Sequence, residues 1–285
     1  MNSWRWLWLM MVLPLAVSGQ PATGDAESSV GAAAGDSRVV AGIALRWCPP
    51  GTFRMGSPPD EPGRRPDEGP VEVTLTQGFW IGAYEVTQVE WRRIMGELPR
   101  ATDAGQGDAV PVYWTSFVAA EDFCRRLTQA AATSLPPGWE FRLPTEAQWE
   151  YACRAGTTTA YAFGASLTAT QANFGRPFRG APPGYPDGSA TPAGSYPPNA
   201  WGIHDMHGNQ WEWCRDYFHR QILGGVDPDR RDDPGAVNRD GSRSRVRRGG
   251  AWPEGASFCR SAARLPYEPE RGSNHIGFRV VLVRR

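Results

Sequence analysis

Hydrophobic and polar positions alternate only over short spans of this chain, and the period changes repeatedly. Residues 43–57 (IALRWCPPGTFRMGS) read as a strand, a Pro-Pro-Gly turn and a second strand. Residues 71–87 (VEVTLTQGFWIGAYEVT) alternate strongly enough to predict a pair of strands. The pattern then becomes helical. Thr87-Gln88-Val89-Glu90 has the spacing of a capping box and predicts a helix with Trp91 and Ile94 on its inner face. A second helix is predicted from Thr115-Ser116 to about residue 131, with Phe117, Ala120, Phe123, Cys124 and Leu127 at helical spacing. Residues 141–144 (FRLP) form a short strand ended by proline. Thr145-Glu146-Ala147-Gln148 opens a third helix that turns Trp149, Tyr151 and Ala152 inward. Little regular structure is expected from 156 to 198, and a charged loop from about 224 to 244. Three short strands are expected at 245–252 (RVRRGGAW), 259–264 (CRSAAR) and 276–283 (IGFRVVLV). No repeat at a solenoid period is present. The class is α+β, rich in coil, with short antiparallel strands and about three helices.

Residues 194–217 (GSYPPNAWGIHDMHGNQWEWCRDY) suit neither a plain helix nor a plain strand. Tyr196, Trp201, Trp211, Trp213 and Tyr217 supply large buried area. Pro197, Pro198, Gly202 and Gly208 force changes of backbone direction. We expect an ordered, buried, irregular segment whose polar backbone needs internal partners. Asn199, Asp205, Asn209, Glu212 and Asp216 supply the oxygens.

Composition narrows the setting. Residues 1–19 have the layout of a secretory signal peptide: Arg5 precedes the apolar run 6–17, which ends in small residues. An uncleaved anchor is the alternative reading. Residues 20–42 read as a linker, leaving 43–285 as the folded domain. The protein is therefore expected to be exported, periplasmic or secreted, with no stable membrane association once the signal is removed. Thirty basic and thirty acidic residues cancel, so no net field points to nucleic acid or to an anionic membrane. Five cysteines (Cys48, Cys124, Cys153, Cys214, Cys259) lie far apart in sequence. Export permits disulfides, the odd number leaves at least one thiol over, and the absence of C-x-x-C argues against a zinc knuckle.

Six ordered stretches, PPGTFRMGS, FWIGAYEVTQVEW, FRLPTEAQWEYACRAG, SYPPNAWGIHDMHGNQWEW, RVRRGGAW and IGFRVV, together resemble the formylglycine-generating enzyme (sulfatase-modifying factor) family over about residues 44–283. The resemblance implies a single domain of C-type-lectin-like type stabilised by bound Ca2+. The true enzymes oxidise a sulfatase cysteine to formylglycine with a pair of cysteines that hold copper(I), placed just after the double glycine. Here that region runs from Gly249-Gly250 to Cys259 and is about three residues shorter. Glu254 stands near the place of the first cysteine, and Cys259 is the only thiol. A soft thiolate pair selects copper(I), and one sulfur cannot form that site. Glu254 and Cys259 remain the catalytic candidates, with Cu or Fe as the redox metal considered.

The same resemblance implies further sites. One calcium site maps to the side chains of Asn173 and Asp187 and the carbonyls of Phe174 and Ser189. A second maps around Gly208-Asn209-Gln210 and Glu212. Hard oxygen donors of these kinds are what calcium requires. Trp252, Arg260, Arg264, Tyr267 and His275 are expected to line the groove that takes a peptide or glycan substrate. Cys153 matches a disulfide position whose usual partner is Ser261 here, and Cys259, two residues earlier in a presumed strand, offers a replacement bridge. Cys124 matches another disulfide position whose partner is replaced by Val280. Cys48 and Cys214 are alternative partners. Apart from the resemblance, His204, His207 and Glu212 are the residue types of a non-haem iron triad, although a histidine bonded to backbone in a buried turn is the ordinary reading. Two functions stay open: an oxidoreductase or maturation factor for a peptide or protein-bound substrate, and a non-catalytic binding module for a peptide or glycan. Sulfatase cysteine oxidation is a third.

Overall fold

The computed structural model describes residues 30–100, 106–175, 188–235, 237, 241 and 243–285. The expected signal peptide at 1–19 and Asp187 lie outside the described residues.

A five-stranded antiparallel sheet forms the middle of the molecule, in the order β1 (Ser37–Val40), β2 (Ile43–Cys48), β5 (Phe79–Gly82), β12 (Val281–Arg284), β6 (Trp139–Arg142). Alternation decides which core each side chain joins. Leu45, Trp47, Trp80 and Leu282 face one apolar cluster, and Cys48, Phe79, Ile81, Val281 and Val283 face another. The first is closed by α1 (Gln88–Met95) and α2 (Phe117–Ala130), where Trp91 stacks on Phe123 with centroids 5.6 Å apart. The second is closed by α3 (Glu146–Arg154) and by a small sheet of β3 (Gly51–Met55), β4 (Val71–Leu75) and β8 (Gly225–Val226). A four-stranded sheet, β10 (Arg264–Tyr267), β9 (Arg245–Arg248), β7 (Trp211–Tyr217), β11 (Ile276–Gly277), carries the aromatic and arginine stretches together. Its β11 runs parallel to β7.

All three helix starts follow the capping logic. Thr87 with Glu90, and Thr145 with Gln148, form reciprocal capping boxes, and Ser116 accepts from the Ala119 amide. Three expectations are corrected. The presumed linker contains β1, which pairs with β2. Residues 211–217, expected to be irregular, form a regular strand because β9 pairs with it on one side and β11 on the other. The presumed strand 259–264 is instead a 3-10 turn at Ala256–Cys259 followed by non-repetitive chain, with β10 starting only at Arg264. Its loss removes the same-face basis for a Cys153–Cys259 bridge. All five cysteines are buried and free.

Arginine and carboxylate side chains occupy the interior between these layers. Arg264 grips Glu146 through two bonds, Nε to Oε1 at 2.6 Å and Nη2 to Oε2 at 2.8 Å. Arg248 reaches Glu146 at 2.8 Å and Glu150 at 2.9 Å, and its Nη1 donates to the Ser261 carbonyl at 3.0 Å. Arg154 donates to Glu150 at 2.8 Å and to the Gly56 carbonyl at 2.8 Å. These arginines and Glu150 are essentially inaccessible to solvent. Arg264 and Arg248 hold the Glu146 carboxyl down at about 2 against the upward push of burial. Asp216, which accepts from the Glu146 amide at 2.7 Å and the Arg230 amide at 2.9 Å, is pushed up to about 7 by burial and by the Glu146 charge.

Removing one partner of a buried ion pair strands the other, which costs about 3–5 kcal/mol, whereas an exposed pair contributes about 0–1 kcal/mol. Arg248→Gln is therefore expected to lower urea-denaturation stability by about 3–5 kcal/mol, and Arg92→Gln, on the exposed Asp108 pair, by less than about 1 kcal/mol. Equal effects would show that the buried network is energetically idle. Asp216 titrates higher folded than unfolded, so its stabilising contribution is complete below its ordinary 3.8 and is lost as pH rises through about 7. Between pH 5 and 8 the stability of the native protein relative to Asp216→Asn should fall by about 3 kcal/mol, given about 1.4 kcal/mol per pKa unit.

Candidate functional site

The site is built where β9 ends in the double glycine. Gly249 and Gly250 adopt φ of +96° and +72°, and a Cβ on Gly250 would stand 2.5 Å from Cys259 Sγ. Glycine is thus required there both for backbone conformation and for the close approach of the cysteine turn. The reversal is tied to the aromatic segment: Gly208 N donates to Gly249 O at 2.7 Å, and Trp252 N to Asn209 O at 3.0 Å. Glu254 follows, half-exposed, with Trp211 Nε1 donating to its Oε1 at 3.4 Å.

Cys259 is packed inward at 0% exposure. Its Sγ donates to the Gly255 carbonyl at 3.8 Å, and burial, then the Glu254 charge, push the thiol well above its ordinary range. A thiolate is the reactive form, and burial together with the Glu254 charge disfavours it at Cys259, the thiol expected to be catalytic. Arg260 and Arg264, expected to line the groove, are held inside. Arg260 donates twice to Glu68 and once to Glu61, each at 2.7 Å, and Arg264 is held by Glu146. Both are 1% exposed and serve as internal ties.

Trp252 is buried beside Val110, Tyr113 and Ala190. Tyr267 is half-exposed with its ring 5.9 Å from Trp213. His275 Nδ1 lies 2.9 Å from both Ser273 Oγ and Asn274 Oδ1, and burial, helped by Arg247, lowers the imidazole to about 4, so it is neutral at neutral pH.

The residue that sequence reasoning missed is Arg247. On β9, Val246 and Arg248 point inward while Arg245 and Arg247 alternate outward. Arg247 lies between two rings, its Cζ 4.7 Å from the centroids of Trp211 and of Tyr267. Its Nε and Nη1 are buried with no hydrogen-bond partner among the described residues. Burial lowers this guanidinium from its ordinary value against the pull of Glu254. Period-two reading of RVRR would have separated Arg247 from Arg248; nothing in the sequence says which aromatic rings enclose it. Arg247, Glu254, Tyr267 and His275, with Trp211 beneath Arg247 and Glu254, make a half-exposed surface of one cation, one acid and aromatics.

Metal ligation can be tested on the donors present. The triad of His204, His207 and Glu212 is not assembled. His207 Nδ1 donates to Cys259 O at 2.8 Å while its Nε2 accepts from Ala162 N at 3.0 Å, and His204 Nδ1 donates to Tyr196 O at 2.8 Å. Glu212 is taken by Arg279 through bonds of 2.6 and 2.7 Å and by Trp149 Nε1 at 2.8 Å. Among the described residues no group of three or more His, Cys, Asp or Glu is arranged to hold a metal ion. Cys259 has a carbonyl rather than a second sulfur as its bonding partner, so the donors do not fit copper(I). Oxygen donors for a hard cation are nearer to hand. Asn173 and Ser189 are adjacent, Asn173 Nδ2 donating to Ser189 O at 2.9 Å, and Asn209 N donates to Asn173 O at 2.8 Å. Beside them Glu85, Asp205 and Glu212 face one arginine, Arg279, and Glu85 Oε1 is buried without a partner. Burial, then the neighbouring carboxylates, raise Glu85 well above the usual range. That surplus of buried negative charge is what a hard cation compensates.

With this geometry in view, comparison with known proteins is direct. The formylglycine-generating enzyme of Mycobacterium tuberculosis is 30% identical over 234 residues, covering 76% of this chain and 70% of that protein. The bovine protein named inactive C-alpha-formylglycine-generating enzyme 2 is 25% identical over 289 residues, covering 81% of this chain and 85% of its own length. The structure of PvdO from Pseudomonas aeruginosa superposes with a TM-score of 0.72 at 27% identity, covering 88% of this chain and 99% of that one. The formylglycine-generating, C-type-lectin-like α+β fold expected from the motifs is the fold found. The sulfatase-modifying factor enzyme 1-like domain matches residues 42–284, and the chain belongs to that family of formylglycine-generating enzyme-like proteins.

Proposed function

We propose that this chain is an exported binding member of the family, which holds a peptide or protein segment on the surface formed by Arg247, Glu254, Tyr267 and His275. The observation that carries this reading is the placement of Cys259: buried at 0% exposure, with its Sγ bonded to a carbonyl. Thiol oxidation chemistry needs an accessible, low-pKa sulfur, and the other four cysteines are buried as well. An oxidoreductase reading gains no support from this arrangement. A cation flanked by two aromatic rings, with an acid and a neutral imidazole beside it, suits a polar peptide side chain or terminus better than a redox centre. Relatives named formylglycine-generating enzymes keep a protein or peptide ligand in view as the class for this fold. Calcium acts as a structural brace in this reading: the Asn173 side chain and the Phe174 and Ser189 carbonyls would hold one ion, with Asp187 as the carboxylate the family pattern supplies. The ion would tie the loop before the site to the aromatic segment.

A thiol reagent should find no reactive cysteine in the native protein and all five after unfolding, and a co-expressed exported sulfatase should keep its cysteine unmodified by mass spectrometry. Rapid native labelling of Cys259, or formylglycine on the sulfatase, would sink the binding reading. On a peptide array, Arg247→Ala and Tyr267→Ala should each reduce retention about tenfold, in line with the 1–2 kcal/mol of a cation enclosed by rings. Chelation by EGTA should lower the melting temperature by several degrees and added Ca2+ restore it, since a ligand bound to the native state alone stabilises by mass action. An unchanged melting temperature would remove the calcium brace.

A further inference from the structure

A second cluster of arginines lies on β6, the edge strand of the five-stranded sheet, away from the surface described above. There α2, β6 and the middle of β7 enclose a cleft of about 250 Å³ lined by Glu121, Arg125, Glu140, Arg142, Arg215 and Arg285. The Arg215 amide donates to Pro144 O at 2.9 Å, which fixes β7 against the end of β6 and brings Arg215 beside Arg142.

The two inner arginines differ from the arginines that tie the layers together. Arg248, Arg260, Arg264 and Arg279 are each matched to carboxylates. Arg142 Nε is buried without a hydrogen-bond partner, and the guanidinium makes no ion pair among the described residues, although the charges of Asp229 and Glu140 act on it. Arg215 Nε and Nη1 are also buried without a hydrogen bond, and the nearest acid, Asp229, stays 3.8 Å from Nε. The remaining acids are committed or peripheral. Glu140 accepts from Arg285 at 2.5 Å, Asp122 holds Arg125 and Arg126, and Glu121 sits at the exposed rim. Burial, and then the charge of Arg215, lower Arg142 to about 10, so the two cations strain against each other in a partly dry cleft. Orphaned donors of this kind are costly unless something accepts from them.

We propose that this cleft binds a tetrahedral oxoanion group, phosphate or sulfate, between the Arg142 and Arg215 guanidiniums. Two guanidiniums lining one cleft, neither closely matched by a carboxylate, offer a double positive charge and planar N–H edges, which suits a doubly charged oxoanion better than a singly charged carboxylate. The cleft exceeds the size of a bare oxoanion, so the group belongs to a larger ligand whose remainder lies along α2. Thr128, also on the cleft wall, spends its hydroxyl on the Cys124 carbonyl at 2.9 Å and accepts from the Phe141 amide at 2.8 Å, so the arginines alone supply donors.

Calorimetric titration of the full chain with inorganic phosphate and with sulfate at low ionic strength tests the site, with acetate at matched ionic strength as the comparison. Saturable one-to-one binding is expected for phosphate or sulfate, with acetate at least about tenfold weaker. Arg215→Gln with unchanged near-ultraviolet circular dichroism should lose about tenfold or more of that affinity, and Arg247→Gln should keep it. Should Arg215→Gln or Arg142→Gln fail to fold, phenylglyoxal labelling of the native protein gives the same answer, since phosphate should protect Arg142 and Arg215 but not Arg92. No saturable binding of either ion, binding by acetate at equal strength, undiminished affinity in folded Arg215→Gln, or unprotected arginines would each overturn the assignment.

Discussion

Buried arginine–carboxylate pairing is the constraint on which this structure depends. Regular elements are short, and long stretches of chain run between them, so backbone ladders alone cannot hold the loops in place. Guanidinium forks do. Arg264 and Arg248 fix Glu146 and Glu150 of α3 to the four-stranded sheet, Arg260 fixes the loop bearing Glu61 and Glu68, and Arg279 fixes Glu212 and the turn at His204. Such pairs lose much of their Coulombic gain to desolvation. Their value here is geometric: each fork has one orientation in which its donors are all satisfied, so irregular chain is brought to one position.

The same pairing explains how Cys259 is placed. The segment from Gly249 to Cys259 is drawn tight by the Gly250 contact with Cys259, and Arg260, next in the chain, is anchored on Glu68. An arginine anchored in the interior immediately after the cysteine turns Sγ away from the surface. What remains exposed is Arg247 with Glu254, Tyr267 and His275. A cation clasped by Trp211 and Tyr267 keeps its charge in a partly desolvated place, which suits recognition more than electron transfer.

Much of the fold was legible in the chain because it rests on local rules. Thr87 with Glu90 and Thr145 with Gln148 announce their helices through a three-residue spacing that needs no tertiary knowledge. Residues 43–57 and 71–87 show their strands through alternation. The aromatic segment misled because proline, glycine and asparagine dominate its first half, while the second half, Trp211–Tyr217, becomes a strand only when β9 and β11 pair with it. Residues 259–264 misled in the opposite direction: small and alternating residues fit a strand, but the tight double-glycine reversal leaves room only for a 3-10 turn.

The amino-acid order by itself determined the family, the three capped helices and the strands within residues 43–57 and 71–87, since all of these are written in residue types at short spacing. Tertiary structure alone decided the fate of each charge. Arg247, Arg248, Arg260 and Arg264 are chemically alike in the sequence, yet three disappear onto carboxylates and one is left between two rings. A charged side chain's role follows from the groups that replace its water, and those arrive from Glu146, Glu68 and Trp211, distant in the chain and near only once it has folded.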